Sequence, residues 1–110
     1  MAVEQYRQWI RQLLTERAQR QSYQTEIEPQ VVCDTEHDHY LLLHTGWRGD
    51  RRTHGCSLHL DIKDGKIWIQ HDGTEIGIAT ELLELGVPPH DIVLGFHTPF
   101  MRQFTEFAVS

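Results

Sequence analysis

The dipeptide Asp64-Gly65 stands between two stretches in which apolar and polar residues alternate, and it predicts a β-hairpin. A type I′ turn needs positive φ at both central residues, which Asp-Gly tolerates well. A slip of one residue would move every isoleucine to the wrong face, so the turn also predicts the register. The predicted pairs on one face are Ile62 with Ile67, Leu60 with Ile69 and Leu58 with His71; on the other face they are Asp61 with Trp68 and His59 with Gln70.

Helical and extended patterns precede this hairpin. Apolar residues at spacings of three and four predict one amphipathic helix over residues 3–21. Strands are predicted for a segment that begins near residue 26, for 39–47 and for 56–63, with a loop around residues 46–50. The apolar stripe of the helix consists of Val3, Tyr6, Ile10, Leu13 and Leu14.

The C-terminal third predicts mainly helix. Thr74 is the expected N-cap of a helix that ends at Gly86, where a left-handed residue precedes two prolines. A short strand is expected over residues 92–96. Thr98-Pro99 then predicts the start of a last short helix, with Phe100, Phe104 and either Phe107 or Ala108 facing inward.

These elements predict an α+β fold in a single domain over residues 1–110, about the usual size of one domain. It consists of an N-terminal helix, an antiparallel β-meander of about four strands and a helical C-terminal third, because consecutive strands joined by short turns are antiparallel. No internal repeat or low-complexity segment interrupts the chain.

Charge is unevenly distributed along the chain. Ten basic and 16 acidic residues give a formal net charge of −6, and protonation of all eight histidines would make it +2. The first helix, with four arginines and two glutamates, carries +2, which leaves −8 for the remainder. This balance excludes a uniformly basic protein that coats nucleic acid, but it leaves room for a local basic patch.

The N-terminus has no apolar stretch typical of a signal peptide or a membrane span, so a cytoplasmic protein is expected. Its two cysteines, Cys33 and Cys56, are too few for a disulfide framework. Because both lie in predicted strands, we expect buried, reduced thiols.

Two groups of histidines suggest chemistry. His37 and His39, among acidic residues, could ligate zinc, but the sequence identifies no third or fourth ligand, which favours an exposed acidic turn with two solvated histidines. His59 and Asp61, beside Trp68 and Gln70, could act as a general base pair or could simply form the wet face of a sheet. The motifs of serine hydrolases, P-loop proteins, dinucleotide-binding proteins and zinc proteases do not occur in the sequence, so no catalytic, cofactor-binding or metal-ligating residue is assigned.

A dense basic run, residues 47–52, suggests binding. Arginines beside an aromatic ring can hold phosphate or carboxylate groups, whereas the alternative is a solvated turn. Trp68, on the polar face of the hairpin, is a residue type enriched at interfaces. The candidate interface residues are therefore Trp47, Arg48, Arg51, Arg52, His59, Asp61, Trp68 and Gln70.

Four segments carry a family resemblance: GKIWIQHDGTEIGIA (65–79), DRR (50–52), GVP (86–88) and DIVLGFH (91–97). Through them the sequence resembles the fdxN element excision controlling factor family, or XisI-like proteins, which are mostly cyanobacterial. The resemblance implies a small α+β protein that helps to control site-specific excision of a DNA element, together with a recombinase and an XisH-type factor that resembles nuclease-fold proteins. It implies no cofactor and supplies no catalytic or metal-binding residues.

Three hypotheses for function follow. The first is a non-enzymatic regulatory protein that contacts an XisH-type partner, because an acidic protein is more suited to a basic protein than to DNA. The second is direct DNA binding through the first helix and Arg48, Arg51 and Arg52, and the third is a histidine- or metal-dependent enzyme. Two further partners are possible: the recombination machinery, and a second copy of the chain that pairs through an exposed edge strand and Trp68. No membrane partner is expected.

Overall fold

The computed structural model describes residues 2–21, 26–74 and 77–110. It confirms an α+β fold with an N-terminal helix. The elements in chain order are helix α1 (Ala2–Gln21), strands β1 (Ile27–Asp34), β2 (His39–Arg48), β3 (Arg51–Lys63) and β4 (Lys66–Asp72), helix α2 (Ile78–Leu85), a 3₁₀ turn (Pro89–Asp91), strand β5 (Ile92–Leu94) and helix α3 (Pro99–Arg102). None of the helices in the described part of the chain is both long and apolar enough to cross a membrane.

Helix α1 covers one face of the sheet, as its apolar stripe predicts. Val3 packs at the margin of the core, while the rest of the stripe is buried against leucines and isoleucines of the strands. Burying side chains of this size contributes about 1.5–3 kcal/mol each. Fully buried residues of the core are Ile10, Leu14, Tyr40, Leu42, Leu58, Leu60, Ile67, Ile78, Leu82 and Ile92.

The hairpin of β3 and β4 forms around the predicted turn. Asp64 and Gly65 have φ of 53° and 77°, as a type I′ turn requires. The three pairs nearest the turn are also confirmed: Ile62 with Ile67, Asp61 with Trp68 and Leu60 with Ile69.

Beyond these pairs the predicted register is wrong, because a β-bulge adds one residue to β4 between the pairs of His59 and Leu60. His59 lies opposite His71 rather than Gln70, and Leu58 lies opposite Asp72 rather than His71. His71 is therefore exposed instead of facing the core. The shift brings Asp72 to the start of α2, where its Oδ2 accepts a hydrogen bond from the backbone N–H of Ile78 at 2.7 Å.

The hairpin of β2 and β3 is longer than predicted. The expected loop shrinks to the two residues between Arg48 and Arg51, and β3 starts at Arg51 rather than at residue 56. Cross-strand pairing extends the strands through residues of modest β-propensity, a case in which tertiary context overrides local preference.

Strand β5 makes the sheet mixed rather than wholly antiparallel. The strand order is β1-β2-β3-β4-β5, and β5 runs parallel to β4, with Ile67 opposite Ile92 and Ile69 opposite Leu94. A crossover through α2 returns the chain to the sheet in the same direction as β4, which a short turn cannot do. The expected last strand thus exists, but it ends at Leu94.

Helix α2 starts later than predicted. Thr74 is not its N-cap: the helix begins at Ile78 after Gly77, and the Thr74 hydroxyl accepts from the Gly77 N–H at 3.3 Å. Glu75, which follows Thr74 in the sequence, lies outside the described residues. The C-terminus agrees with the prediction, because Gly86 has φ of 112° and the Val87 N–H donates to the carbonyl of Leu82.

The C-terminal segment differs from expectation in its aromatic residues. Thr98 caps α3 as predicted, accepting from the N–H of Met101 at 3.2 Å. Phe100 and Phe104, predicted to face inward, are 64% and 69% exposed. Helix α3 has only four residues, too few for an inward-facing stripe, and only Phe107 packs against the core.

The two cysteines are free thiols, but the prediction that they are buried is wrong. Cys33 is exposed on β1, and Cys56 is half-buried, with its thiol donating to the carbonyl of Leu58 at 3.0 Å. Strand β1 lies at the edge of the sheet, where fewer neighbours cover a side chain.

Candidate functional site

A cluster of two histidines and one aspartate lies on the face of the sheet opposite α1. Antiparallel pairing puts His39 of β2 directly opposite Asp61 of β3. His59 lies two residues before Asp61 in β3 and therefore on the same face of the sheet. His39 Nδ1 is 2.8 Å and His59 Nε2 is 2.9 Å from Asp61 Oδ1. We call His39, His59 and Asp61 the histidine–aspartate cluster.

Gln70 supports this cluster from the neighbouring strand. Its Nε2 donates to Asp61 Oδ2 at 3.1 Å. The predicted association of His59, Asp61 and Gln70 is thus present, although Gln70 reaches Asp61 from the bulge rather than by pairing with His59. The Asp61 carboxylate is engaged at both oxygens, and its side chain is only 15% exposed.

The electrostatics of the cluster follow from these contacts. Burial acts to raise the pKa of Asp61, but the hydrogen bonds with His39 and His59 outweigh it, so that its pKa lies below the ordinary value. The hydrogen bond to Asp61, helped by the negative charge of the same carboxylate, raises the pKa of His39. The cluster therefore favours an ionised aspartate with a cationic species beside it.

The pair that the H-x-H pattern suggested does not come together. His37 Nδ1 lies 2.9 Å from Asp34 Oδ2 within the turn that joins β1 and β2, whereas His39 turns to Asp61. Among the described residues, one group of three metal-ligating side chains converges within 4.8 Å, and it comprises His39, His59 and Asp61.

Trp68 lies beside the cluster but is largely covered. The ammonium of Lys63 is 4.9 Å and the guanidinium of Arg102 is 5.2 Å from the centroid of its ring. Arg102 is itself anchored, because its Nε donates to the carbonyl of Leu94 at 3.2 Å. The C-terminal segment thus occupies part of the face on which Trp68 was expected to be available.

The other half of the candidate interface forms the tip of the β2–β3 hairpin, defined here as Trp47, Arg48, Arg51 and Arg52. Trp47 pairs with Arg52 across the strands and Arg48 with Arg51. The Trp47 side chain is 50% exposed, and the Arg52 guanidinium lies 5.4 Å from its ring centroid. An open groove runs along Arg48, Arg51, Arg52 and Thr53.

The predicted interface is therefore two separate surfaces. Arg52 and Asp61 lie on one strand, nine positions apart, which at about 3.3 Å per residue separates them by roughly 30 Å. The molecule is 43 Å long in its longest dimension, so the tip and the histidine–aspartate cluster lie far apart along it.

Sequence reasoning missed two features. His39 was assigned to the acidic turn because the register of β2 against β3 depends on a loop whose length was overestimated and on a β-bulge. A two-residue turn at Gly49-Asp50 alone would place His39 opposite Leu60, and the register shift between Leu42 and Leu43 moves it opposite Asp61. The exposed aromatic surface of the C-terminal segment, which includes Phe96 and an edge-to-face contact between Phe100 and Phe104, had no signal beyond apolar residues near a chain end.

Comparison with known proteins identifies the family of this chain. The family model described as XisI protein matches residues 1–109. The chain belongs to the XisI family. Two crystal structures from Anabaena variabilis ATCC 29413 are similar to it over the full length of both chains. A XisI-like protein is 41% identical with a TM-score of 0.91, and the fdxN element excision controlling factor XisI is 36% identical with a TM-score of 0.85. Among curated proteins, no match is found.

Membership in the XisI family confirms the resemblance carried by the segment that follows the Asp64-Gly65 turn. That segment includes the bulge of β4 and the capping aspartate Asp72, so the motif coincides with the point where the chain leaves the sheet for α2. The solved relative XisI is named as a factor that controls excision of the fdxN element.

Proposed function

We propose that this protein is a non-enzymatic factor that controls excision of a DNA element by binding another protein, an XisH-type partner of nuclease fold, through the tip of the β2–β3 hairpin. The name of the solved relative, fdxN element excision controlling factor, supports the regulatory part of this proposal. The composition and exposure of the tip support the contact.

The observation that carries the proposal is the exposed Trp47 with Arg52 beside its ring. Tryptophan and arginine dominate the energetics of protein interfaces, since both combine a large contact area with directional polar groups. At the end of two paired strands they are held in place before a partner arrives, which lowers the entropic cost of binding.

The arginines of α1 support contact with protein over contact with DNA. Arg7 is bound to Asp38, and Arg17 is 2.6 Å and Arg20 3.7 Å from oxygens of Glu81. Three of the four arginines that give this helix its positive charge are thus engaged within the domain. Because the whole chain has a net charge of −6, surfaces other than the tip are poorly suited to bind a polyanion such as DNA.

At the tip the expected chemistry of recognition is pairing between arginine and carboxylate. Arg48, Arg51 and Arg52 offer planar donor groups that bind carboxylates in a bidentate manner. We therefore expect the part of the partner's surface that meets the tip to be acidic, even where the partner as a whole is basic, and to contain an apolar recess for Trp47.

Isothermal titration of the purified XisH-type partner into the full chain tests this function. We expect a complex at micromolar concentration, and a loss of at least tenfold in affinity for both Trp47→Ala and Arg51→Ala. Arg20→Ala, which removes an exposed arginine far along the chain from the tip, serves as the control and retains wild-type affinity. Absence of a complex, or equal affinity for all four proteins, contradicts the proposal.

Direct DNA binding is the second candidate, and the groove beside Arg48, Arg51 and Arg52 favours it. It predicts a mobility shift of duplex DNA from the element border that weakens steeply with salt, because phosphate contacts release counterions. A shift abolished by Arg51→Ala would favour this candidate over a protein partner.

A further inference from the structure

We propose that His39, His59 and Asp61 form a binding site for a divalent transition-metal ion of the Zn²⁺ type, with one coordination position open to water. The site lies on the sheet face opposite α1, roughly 30 Å from the tip of the β2–β3 hairpin. It is independent of the proposed contact with a partner protein.

The distances within the cluster are close to those that zinc requires. Zinc binds imidazole nitrogen and carboxylate oxygen at about 2.0–2.1 Å in tetrahedral geometry, which places neighbouring ligand atoms about 3.3 Å apart. The two nitrogens lie 2.8 and 2.9 Å from Asp61 Oδ1, and all three ligand atoms lie within 4.8 Å of one another. Small rotations of the side chains suffice to admit an ion.

The backbone positions of these ligands are held by the sheet. His39 and Asp61 are paired across β2 and β3, and their neighbours in the chain, Tyr40 and Leu60, are fully buried and paired with each other. A site on two adjacent, packed strands loses little freedom when it binds an ion, which is the requirement for a preorganised metal site.

Gln70 supplies the outer-shell contact that metal-ligating carboxylates usually have. Its amide donates to Asp61 Oδ2 at 3.1 Å and leaves Oδ1 directed at the two histidines. Such partners fix the orientation of a ligand, and their loss typically lowers metal affinity by about 10–100-fold.

The charge around the site suits a cation. Asp34 and Asp38 add negative potential at His39, beyond that of Asp61 itself. The positive charge of Lys63 is directed to the ring of Trp68. Two imidazoles with one carboxylate favour zinc and related metals over Mg²⁺ or Ca²⁺, which prefer oxygen ligands alone. Solvent reaches the open position past His39, whose side chain is 55% exposed.

A proton shared between the histidines and Asp61 would produce similar distances, so the experiment must separate the two cases. The full chain without a histidine tag is freed of metal with a chelator and titrated with ZnCl₂ by calorimetry at pH 7.5. We expect one ion per chain with micromolar affinity, no response to MgCl₂, and at least a tenfold loss of zinc affinity for His39→Ala and His59→Ala. Gln70→Ala should lose about tenfold.

His37→Ala is the matched control, since His37 is also exposed and also paired with an aspartate. It should bind zinc as the wild type does; a loss equal to that of His59→Ala, or no zinc binding by the wild type, overturns the proposal. Nitrogen-15 NMR of the wild type removes any dependence on variants that fail to fold. Zinc should shift the signals of His39 Nδ1 and His59 Nε2, and unchanged signals for both would also overturn it.

Discussion

The guanidinium of Arg7 makes two hydrogen bonds to the carboxylate of Asp38, at 2.8 and 3.0 Å, and so fastens α1 to the turn between β1 and β2. The hydroxyl of Tyr40 donates to the same carboxylate at 2.9 Å. Asp38, the last residue of the acidic turn, thus links the turn to α1, in addition to the pairing of His37 with Asp34 within the turn.

The contact with Arg7 predicts how stability depends on pH. Hydrogen bonds from Arg7 hold the pKa of Asp38 below its ordinary value, so the unfolded chain takes up this proton more readily than the folded chain. The stabilisation is complete above the unfolded pKa, about 4, and is lost as the pH falls through the folded pKa. Asp38→Asn should therefore lower the urea midpoint at pH 7 and do so less at pH 3.

Glu84→Gln, at an exposed position of α2, is the control for Asp38→Asn and should leave the midpoint at pH 7 nearly unchanged. Asparagine tolerates the positive φ of 59° at position 38, so the substitution tests charge rather than backbone strain. A loss for Asp38→Asn that is equal at pH 7 and pH 3 would contradict the assignment of the effect to the carboxylate.

Gly46 is a position where β1 and β2 approach too closely for a side chain. A Cβ there would lie 2.5 Å from the carbonyl oxygen of Glu26 and 2.8 Å from Cα of Ile27, both backbone atoms. Gly46→Ala should lower the free energy of unfolding by about 1–3 kcal/mol, as overpacking does. Gly55→Ala, on β3 with open space around its Cβ, should cost far less in the same denaturation experiment.

Asp72, rather than Thr74, is predicted to be the residue that stabilises the start of α2. Its side chain accepts hydrogen bonds from the N–H groups of Thr74 and Ile78. Asp72→Ala should lower the free energy of unfolding by about 1 kcal/mol, as the loss of a helix cap does. Thermal denaturation followed by circular dichroism measures the change, and a larger loss for Thr74→Ala would contradict the assignment.

The exposed phenylalanines of the C-terminal segment should contribute little to folding. Phe104→Ser should change the free energy of unfolding by no more than about 0.5 kcal/mol, as is usual for surface positions. Phe107→Ser, at a residue packed against the core, should cost about 1–3 kcal/mol. A loss for Phe104→Ser as large as that expected for Phe107→Ser, measured by urea denaturation, would contradict the exposed position of Phe104.

Local patterns predicted the parts of this fold that local chemistry determines. The Asp64-Gly65 turn predicted the register of the three nearest pairs, and Gly86 predicted the end of α2, because each depends on backbone angles that few residues adopt. The bulge at Gln70 could not be predicted in this way, since no turn residue marks it and the extra residue is held by a hydrogen bond to Asp61 on the neighbouring strand.

The candidate site was predicted in part for the same reason. His59 and Asp61 share a face by strand periodicity alone. His39 joins them only when β2 and β3 pair over their full length, which depends on a turn of two residues and on the β-bulge between Leu42 and Leu43. The division of the candidate interface into two surfaces likewise follows from the length of β3, which local propensity underestimated.

The last residues of the chain also decide how two molecules could share a sheet. Ala108 bridges to Val93, and its N–H donates to the carbonyl of Ile92, so β5 is already flanked by its own chain. In the described part of the chain, this leaves β1 as the strand with an unpaired edge. If two molecules pair their β1 strands about a two-fold axis, both unpaired edges are occupied and no edge is left for a third molecule. Growth by edge-to-edge addition, the route to fibrils, would therefore stop at two copies.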